Sequence, residues 1–212
     1  MAKAGRASRP VAATEPNATR QALVDAAIES LRFDGFAGAS ARAIAARAGS
    51  NQSLVFYHFG SVAELLLAAL DEVSARRLVR YSAAVDGLRT PAELVTAATE
   101  IFREDLDEGY VTVLVEMIAG AATAPELGEQ VARRIAPWRT FANDAIAGAL
   151  EGSPLASLLP VGDAAYAVVA LYLGMEMLSH LDGDRAPALS LFDQAGKFAA
   201  LFAAPPNPKE KP

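Results

Sequence analysis

Apolar residues recur along this chain at intervals of three and four, the period of a helix with one buried face. Val24, Ala27, Ile28 and Leu31 set the pattern in the first such segment, which Asn17 or Thr19 can cap. Gly35 is placed to end it as a left-handed residue, with Phe36 closing back on Leu31 as in a Schellman stop. Ser40 then caps a short helix over 41–48 that Gly49 ends, and Ser50 or Asn51 caps a third over 52–59. Gly60 and the capping box Ser61-Val62-Ala63-Glu64 open a long fourth helix that continues past Arg80. Two short helices joined by a tight turn, after a longer one, make a helix-turn-helix by spacing alone.

Beyond Gly87 the segments lengthen. Thr90-Pro91-Ala92-Glu93 joins an N-cap, a proline at the first helical position and a box glutamate, and so starts a fifth helix that ends near Gly109. A sixth is predicted over about 110–121, and a seventh from Pro125 to about Leu150 with Pro137 as a kink or break. Two more follow the Gly152-Ser153-Pro154 loop, over about 161–180 and 187–202. Strand signals are close to absent, and the predicted fold class is all-α. Residues 1–16 read as a disordered arm and 205–212 as a disordered tail. Between them, 17–60 form the helix-turn-helix unit and 61–204 a larger helical domain. The fourth helix is expected to be the only rigid element touching both.

A chain of 212 residues, 52% hydrophobic and 21% charged, can bury a core of this kind. It holds no cysteine, which excludes a disulfide frame and a thiolate metal site. No uncharged apolar run approaches the roughly 18 residues of a membrane span, and the charged start lacks the apolar stretch of a signal peptide. A cytoplasmic protein with no membrane partner is expected. The net charge of −6 disfavours nucleic acid until it is divided along the chain. Residues 1–60 hold seven Lys or Arg against four acids, a net +3, and the remainder holds twelve against twenty-one, a net −9. A basic end on an acidic chain is a hint of nucleic-acid binding.

The third helix packs four rings, Phe56, Tyr57, His58 and Phe59, into its end. Val55 and Phe59 are four residues apart and share the face that meets Ile44 and Leu31. Phe56 is expected to help hold the helix down. Gln52, Ser53, Tyr57 and His58 are left on the outer arc, an amide, a hydroxyl, a phenol and an imidazole able to reach phosphates or base edges in a major groove about 12 Å wide.

These elements fall in one register: Phe33-Asp34-Gly35-Phe36, Ser40-Ala41-Arg42-Ala43-Ile44-Ala45, Ala48-Gly49, Tyr57-His58-Phe59 and Ser61-Val62-Ala63-Glu64-Leu65. From Thr19 to about Leu70 the chain resembles the DNA-binding domain of the tetracycline-repressor (TetR) family. That resemblance implies a non-enzymatic, homodimeric transcriptional regulator that binds a double-stranded DNA operator and answers to a small-molecule effector, with no cofactor. It implies phosphate binding by Ser40, a base-edge contact from Arg42, and groove contacts from Gln52, Ser53, Phe56, Tyr57 and His58. Phe56 stands where the family commonly has tyrosine, and Val62 where a lysine commonly touches phosphate. Lys3, Arg6 and Arg9 are candidates to compensate.

Other constellations carry less. His180 stands beside Met175 and Met177 with no second His or Cys nearby, which favours core or interface over metal. Glu100, Glu104, Asp105, Asp107 and Glu108 read as a solvated helix face, not as paired catalytic or metal-binding carboxylates. Phe102, Tyr110, Met117, Trp138, Phe141, Tyr166, Tyr172 and Met175 are spread over four helices and are either core or the lining of an apolar cavity. In the last two helices the small residues Ala165, Gly174, Ala195, Gly196 and Ala199 alternate with Val168, Tyr172, Leu189, Phe192 and Phe202, and the resemblance implies that this pair joins its symmetry mate in a four-helix bundle, with Val168, Tyr172, Leu189, Phe192 and Ala199 at the interface. The rival reading is an all-helical enzyme or carrier of an apolar metabolite whose helix-turn-helix is only architectural.

Overall fold

The computed structural model describes residues 16–122 and 124–201, and among these every regular element is a helix. The expectations for the arm before residue 16, with Lys3, Arg6 and Arg9, and for the tail 205–212 lie outside the described residues. In chain order the helices are α1 (Pro16–Gly38), α2 (Ala41–Arg47), α3 (Gln52–Phe59), α4 (Val62–Val85), α5 (Pro91–Glu108), α6 (Tyr110–Ala121), α7 (Pro125–Leu150), α8 (Val161–Asp182) and α9 (Ala186–Ala200). A 3-10 turn, Pro154–Ser157, joins α7 to α8.

Local chemistry accounts for most of these bounds. The Ser61 hydroxyl accepts the Glu64 N–H, and Thr90 and Glu93 make a full reciprocal capping box. Asn51, not Ser50, caps α3. Helix α1 already runs at Pro16, so Asn17 and Thr19 lie within it and do not cap it. Gly35 does interrupt α1, but with φ 70° and ψ 178°, an extended left-handed conformation that only glycine adopts without strain, and the chain then turns helically once more to Gly38. Helix α7 runs through Pro137 as one element. Its flanking halves pack on α4, α5, α6 and α8, and that tertiary contact outweighs the local cost of the missing N–H.

The main core joins Leu23, Ala27 and Leu31 of α1 to Ile44, Val55, Leu65 and Leu66, and continues into Val113 and Met117 of α6 and Val131 of α7. Each fully buried Leu or Ile contributes about 1.5–3 kcal/mol by leaving water. Helix α1 packs on α6 as well as on α4, so α4 is not the only rigid element touching both ends of the molecule. A second core lies between α7 and α8 around Ala142, Ile146, Leu150 and Ala165, and a third gathers Phe102, Met175 and Ala188 from α5, α8 and α9.

Among the described residues α8 alone is a single helix long and apolar enough to cross a membrane by length and composition, although Asp163 and Glu176 interrupt its apolar run. It is apolar all round because one side packs on α6 and α7 and the other is outward, where Val168, Leu171, Leu178 and Leu181 are exposed beside Leu191 and Phe198 of α9.

Candidate nucleic-acid interface and ligand cavity

Helix α3 stands on the fully buried Val55 and on Phe59, whose ring lies 4.9 Å beneath the Arg20 guanidinium. Its entry is set by Gly49, which takes a left-handed φ of 61°, and by Asn51, whose Oδ1 accepts from the Ser53 N–H at 2.9 Å and the Ser53 hydroxyl at 3.1 Å. Ser40 opens α2 by accepting the Ala43 N–H at 3.3 Å. Ser40, Arg42, Gln52, Ser53, Phe56 and Tyr57 are exposed together around this turn. Arg42 and Gln52 have no side-chain hydrogen bond or ion pair to any described residue, so both are free for an external partner. Tyr57 is 78% exposed and meets only the His58 ring, edge-on at 5.0 Å. Phe56 faces outward at 48% exposure, contrary to the expected anchoring role, and His58 is half-buried between Tyr57 and Phe59. Eight residues at about 100° each cannot turn four consecutive rings to one side, and Val55 with Phe59 already occupies the inner face.

A cavity of about 300 Å³ lies between α4, α5, α7, α8 and α9. Leu70 and Val73 of α4, Leu94 and Ile101 of α5, and Ile146 of α7 make most of it apolar. One end is polar and aromatic. There the Arg77 guanidinium lies 5.0 Å from the Trp138 ring and 5.5 Å from that of Tyr81, and Trp138 meets Phe141 edge-on at 6.2 Å. Arg77 is buried and forms an ion pair with Asp105, also buried, with its Nε 3.2 Å from Asp105 Oδ1 and 3.1 Å from the Tyr81 hydroxyl. The Tyr81 and Tyr172 hydroxyls both donate to Asp105, the latter at 2.5 Å. Burial, reinforced by the Glu176 and Asp105 carboxylates, pushes the Tyr172 hydroxyl well above the ordinary phenol range, so it remains a donor. Glu176, one turn on from Tyr172, is 1% exposed, and neither of its carboxyl oxygens has a hydrogen-bond partner. Burial first, then the Asp105 carboxylate, pushes its carboxyl up to about 8.

Residues 23–69, which span α1 to the first turns of α4, match the family described as bacterial regulatory proteins, tetR family. The helix-turn-helix segment of the chain is similar to that family. Over 131 residues the chain is 29% identical to an uncharacterised HTH-type transcriptional regulator of Mycobacterium tuberculosis, covering 62% of the one and 67% of the other. A TetR-family member from Streptomyces coelicolor superposes with a TM-score of 0.64 at 26% identity, covering 84% of this chain and 97% of that one. The fold is shared with the Bacillus subtilis transcriptional regulator FadR in complex with stearoyl-CoA, at a TM-score of 0.69 and 13% identity over 86% and 97% of the two chains.

Of the aromatic and methionine residues expected at a pocket, Tyr110, Trp138, Phe141, Tyr172 and Met175 do line the cavity. Phe102 is packed behind it against Tyr172 and Phe192, Met117 is in the main core, and Tyr166 is 61% exposed beneath Arg139. Of the residues expected on a dimer face, Val168 is outward, whereas Tyr172, Leu189 and Phe192 pack into the third core and Ala199 is buried. Helix α9 turns these residues toward α5, and that contact occupies them within one chain. The acidic run of α5 is not uniformly solvated either. Asp105 is 1% exposed because it shares the inner face with Ile101 and Phe102, four and three residues earlier, a spacing legible in the sequence. Arg77 and Glu176 were missed, and their nearest signals are the apolar neighbours Val73 and Tyr81, and Tyr172, at helical spacing.

Proposed function

We propose that this chain is a TetR-family regulator, a cytoplasmic, homodimeric repressor that binds a pseudo-palindromic duplex DNA operator through α2 and α3 and is released by a small, largely apolar effector in the α4–α8 cavity. It carries out no catalysis. The observation that carries the reading is that α4 serves both sites. Only Gly60 and Ser61 separate it from the recognition helix, with α3 and α4 bent by 72°, and further along Leu70, Val73, Arg77 and Tyr81 line the cavity.

A dimeric reader presents its two recognition helices about 34–36 Å apart, or a multiple of that, so a small tilt of α4 at the cavity shifts the spacing at the DNA. Arg42, Gln52 and Tyr57 are the base-edge candidates, with Phe56 packing on a thymine methyl and Ser40, Ser53 and His58 reaching phosphate. The apolar outer face of α8 and α9 is the candidate dimer surface. Val168, Leu171 and Leu191 also border the cavity, so a second copy seated there closes it. The apolar lining and the fold shared with a regulator that binds stearoyl-CoA support an apolar effector.

The test is selection of duplexes from a random pool by the full chain, followed by titration of the enriched sequence. Gln52→Ala and Tyr57→Ala are each expected to weaken binding by roughly 1–3 kcal/mol with the fold intact. Failure to enrich any sequence, or unchanged affinity in both variants, overturns the assignment.

A further inference from the structure

On the far side of the Tyr172–Asp105 contact lies a second cavity of about 280 Å³, between α5, α6, α8 and the start of α9. We propose that it is a binding site for a protonated amine, held by the carboxyl groups of Asp105 and Glu176. Its deep wall carries those two side chains and Ser179, all buried, with Thr112 of α6 beside them. His180, Gly183 and Arg185 are exposed and form the mouth.

The charges on this wall do not balance. Among the described residues Arg77 is the only buried cation, and its guanidinium is already committed to Asp105 and the Tyr81 hydroxyl. Arg185 at the mouth is paired with Asp107 at 2.7 Å. Glu176 therefore shares the Arg77 cation with Asp105, and its carboxyl oxygens make no hydrogen bond within normal distance, although it is nine-tenths and more buried and lines the cavity. A buried carboxyl in that state weakens the fold unless it is neutralised, either by a proton or by a cation from outside. The acidic wall disfavours an anion. A divalent metal takes six or more oxygens, and the described residues hold no group of three acidic, histidine or cysteine side chains suited to one. An ammonium group offers three N–H donors, which Glu176, a remaining Asp105 lone pair and the Ser179 or Thr112 hydroxyl can accept. A cavity of this volume admits a small organic amine, since a water molecule takes about 30 Å³.

Binding is linked to protons. The groups around Glu176 are Arg77 on α4, Asp105 on α5, Tyr172 and His180 on α8, and Arg185 before α9, while α6 brings only Val111, Thr112 and Val115. With its carboxyl pushed up to about 8, Glu176 is protonated in the empty site at neutral pH, and it releases that proton to solvent as the ammonium enters.

The amine can be a free small molecule or the head of a longer effector whose chain occupies the apolar cavity, because Tyr172 of the first cavity is hydrogen-bonded to Asp105 of the second. Calorimetry on the full chain with n-propylammonium and n-octylammonium, against the matching alcohols, tests the site. Saturable ammonium binding is expected at one per chain, with no equivalent for propanol, a heat at about pH 7 that varies with the ionisation enthalpy of the buffer, and affinity about tenfold higher near pH 9. Glu176→Gln is expected to weaken it at least tenfold. Trp138, the single tryptophan, reports on the apolar cavity. Propylammonium binding with unchanged Trp138 fluorescence supports a free amine, and octylammonium binding with a changed signal supports an amine-headed effector. Absence of saturable binding by either ammonium, equal binding by Glu176→Gln, or a wild-type affinity independent of pH overturns the proposal. The pH and buffer dependence of the wild-type chain decide the matter even if the variant does not fold. Operator binding without ligand is expected to be unchanged in Glu176→Gln, so loss of DNA recognition reflects on the regulator reading and not on this site.

Discussion

The ring of Phe36 occupies the space in which a side chain at Gly120 would stand: a Cβ built there lies 2.4 Å from its ring carbons. Next to it the Phe36 N–H donates to Glu116 Oε2 at 2.7 Å. The end of α1 is thus held by α6 through a notch and a charge-assisted hydrogen bond. Helix α6 also brings Tyr110 and Leu114 to the apolar cavity. Any shift of α6 therefore reaches the helix-turn-helix through α1 as well as through α4.

Gly120→Ala is expected to push Phe36 from its notch and to cost about 1–3 kcal/mol in chemical denaturation, the range of an overpacked core. It should also reduce the factor by which effector weakens operator binding more than it alters either affinity alone. The contrasting change is Gly148→Ala on α7, where an added Cβ meets nothing within 4 Å. That variant should gain up to about 1 kcal/mol from helix propensity. Equal effects of the two substitutions would leave the notch without a role.

Asp105→Ala removes the partner of a buried guanidinium and the acceptor of two tyrosine hydroxyls. A loss of about 3–5 kcal/mol is expected, because the Arg77 charge stays buried and unpaired. Arg77→Met made together with Asp105→Leu should recover most of it, since apolar side chains of similar volume need no partner. Denaturant midpoints of the single and double variants measure the difference.

Glu176 gives stability a specific dependence on pH. Its folded carboxyl titrates at about 8 against an ordinary 4.5, so between those values the folded chain binds a proton that the unfolded chain has lost. The contribution of this group is therefore greatest below about pH 4.5, falls as pH rises by up to about 1.4 kcal/mol per unit, and levels off above about 8. Glu176→Gln should flatten that portion of the profile and be more stable than wild type at pH 9. Denaturation at four or five pH values without amine checks it, and a parallel decline in both proteins would assign the slope to other groups.

Leu178 is 60% exposed on α8 and does not line the apolar cavity. Leu178→Glu should abolish the proposed dimer and leave a monomer in sedimentation, with helicity retained, since a charge on a self-facing surface meets its own copy across the two-fold axis. An unchanged dimer would move the interface off this face.

What the sequence determined by itself is local. The caps at Ser40, Asn51, Ser61 and Thr90 join residues two or three apart, and the exposed arc of α3 follows from a period of 3.6 residues. The register of the helix-turn-helix was legible for that reason, as was its likeness to the TetR family. Tertiary structure decided the rest because its contacts join distant positions: Arg77 and Asp105 are 28 residues apart, Asp105 and Tyr172 are 67, and Phe36 and Glu116 are 80. Asp105 looks like one acid among five until α4 brings a cation to it, and Glu176 looks like a stray charge on an apolar helix until α5 and α6 enclose it. Likewise Phe192 and Leu189 suit a dimer surface as well as a core, and only the packing of α9 on α5 turns them inward. A helix period states which residues share a face, but the identity of the neighbour on that face is a property of the assembled fold.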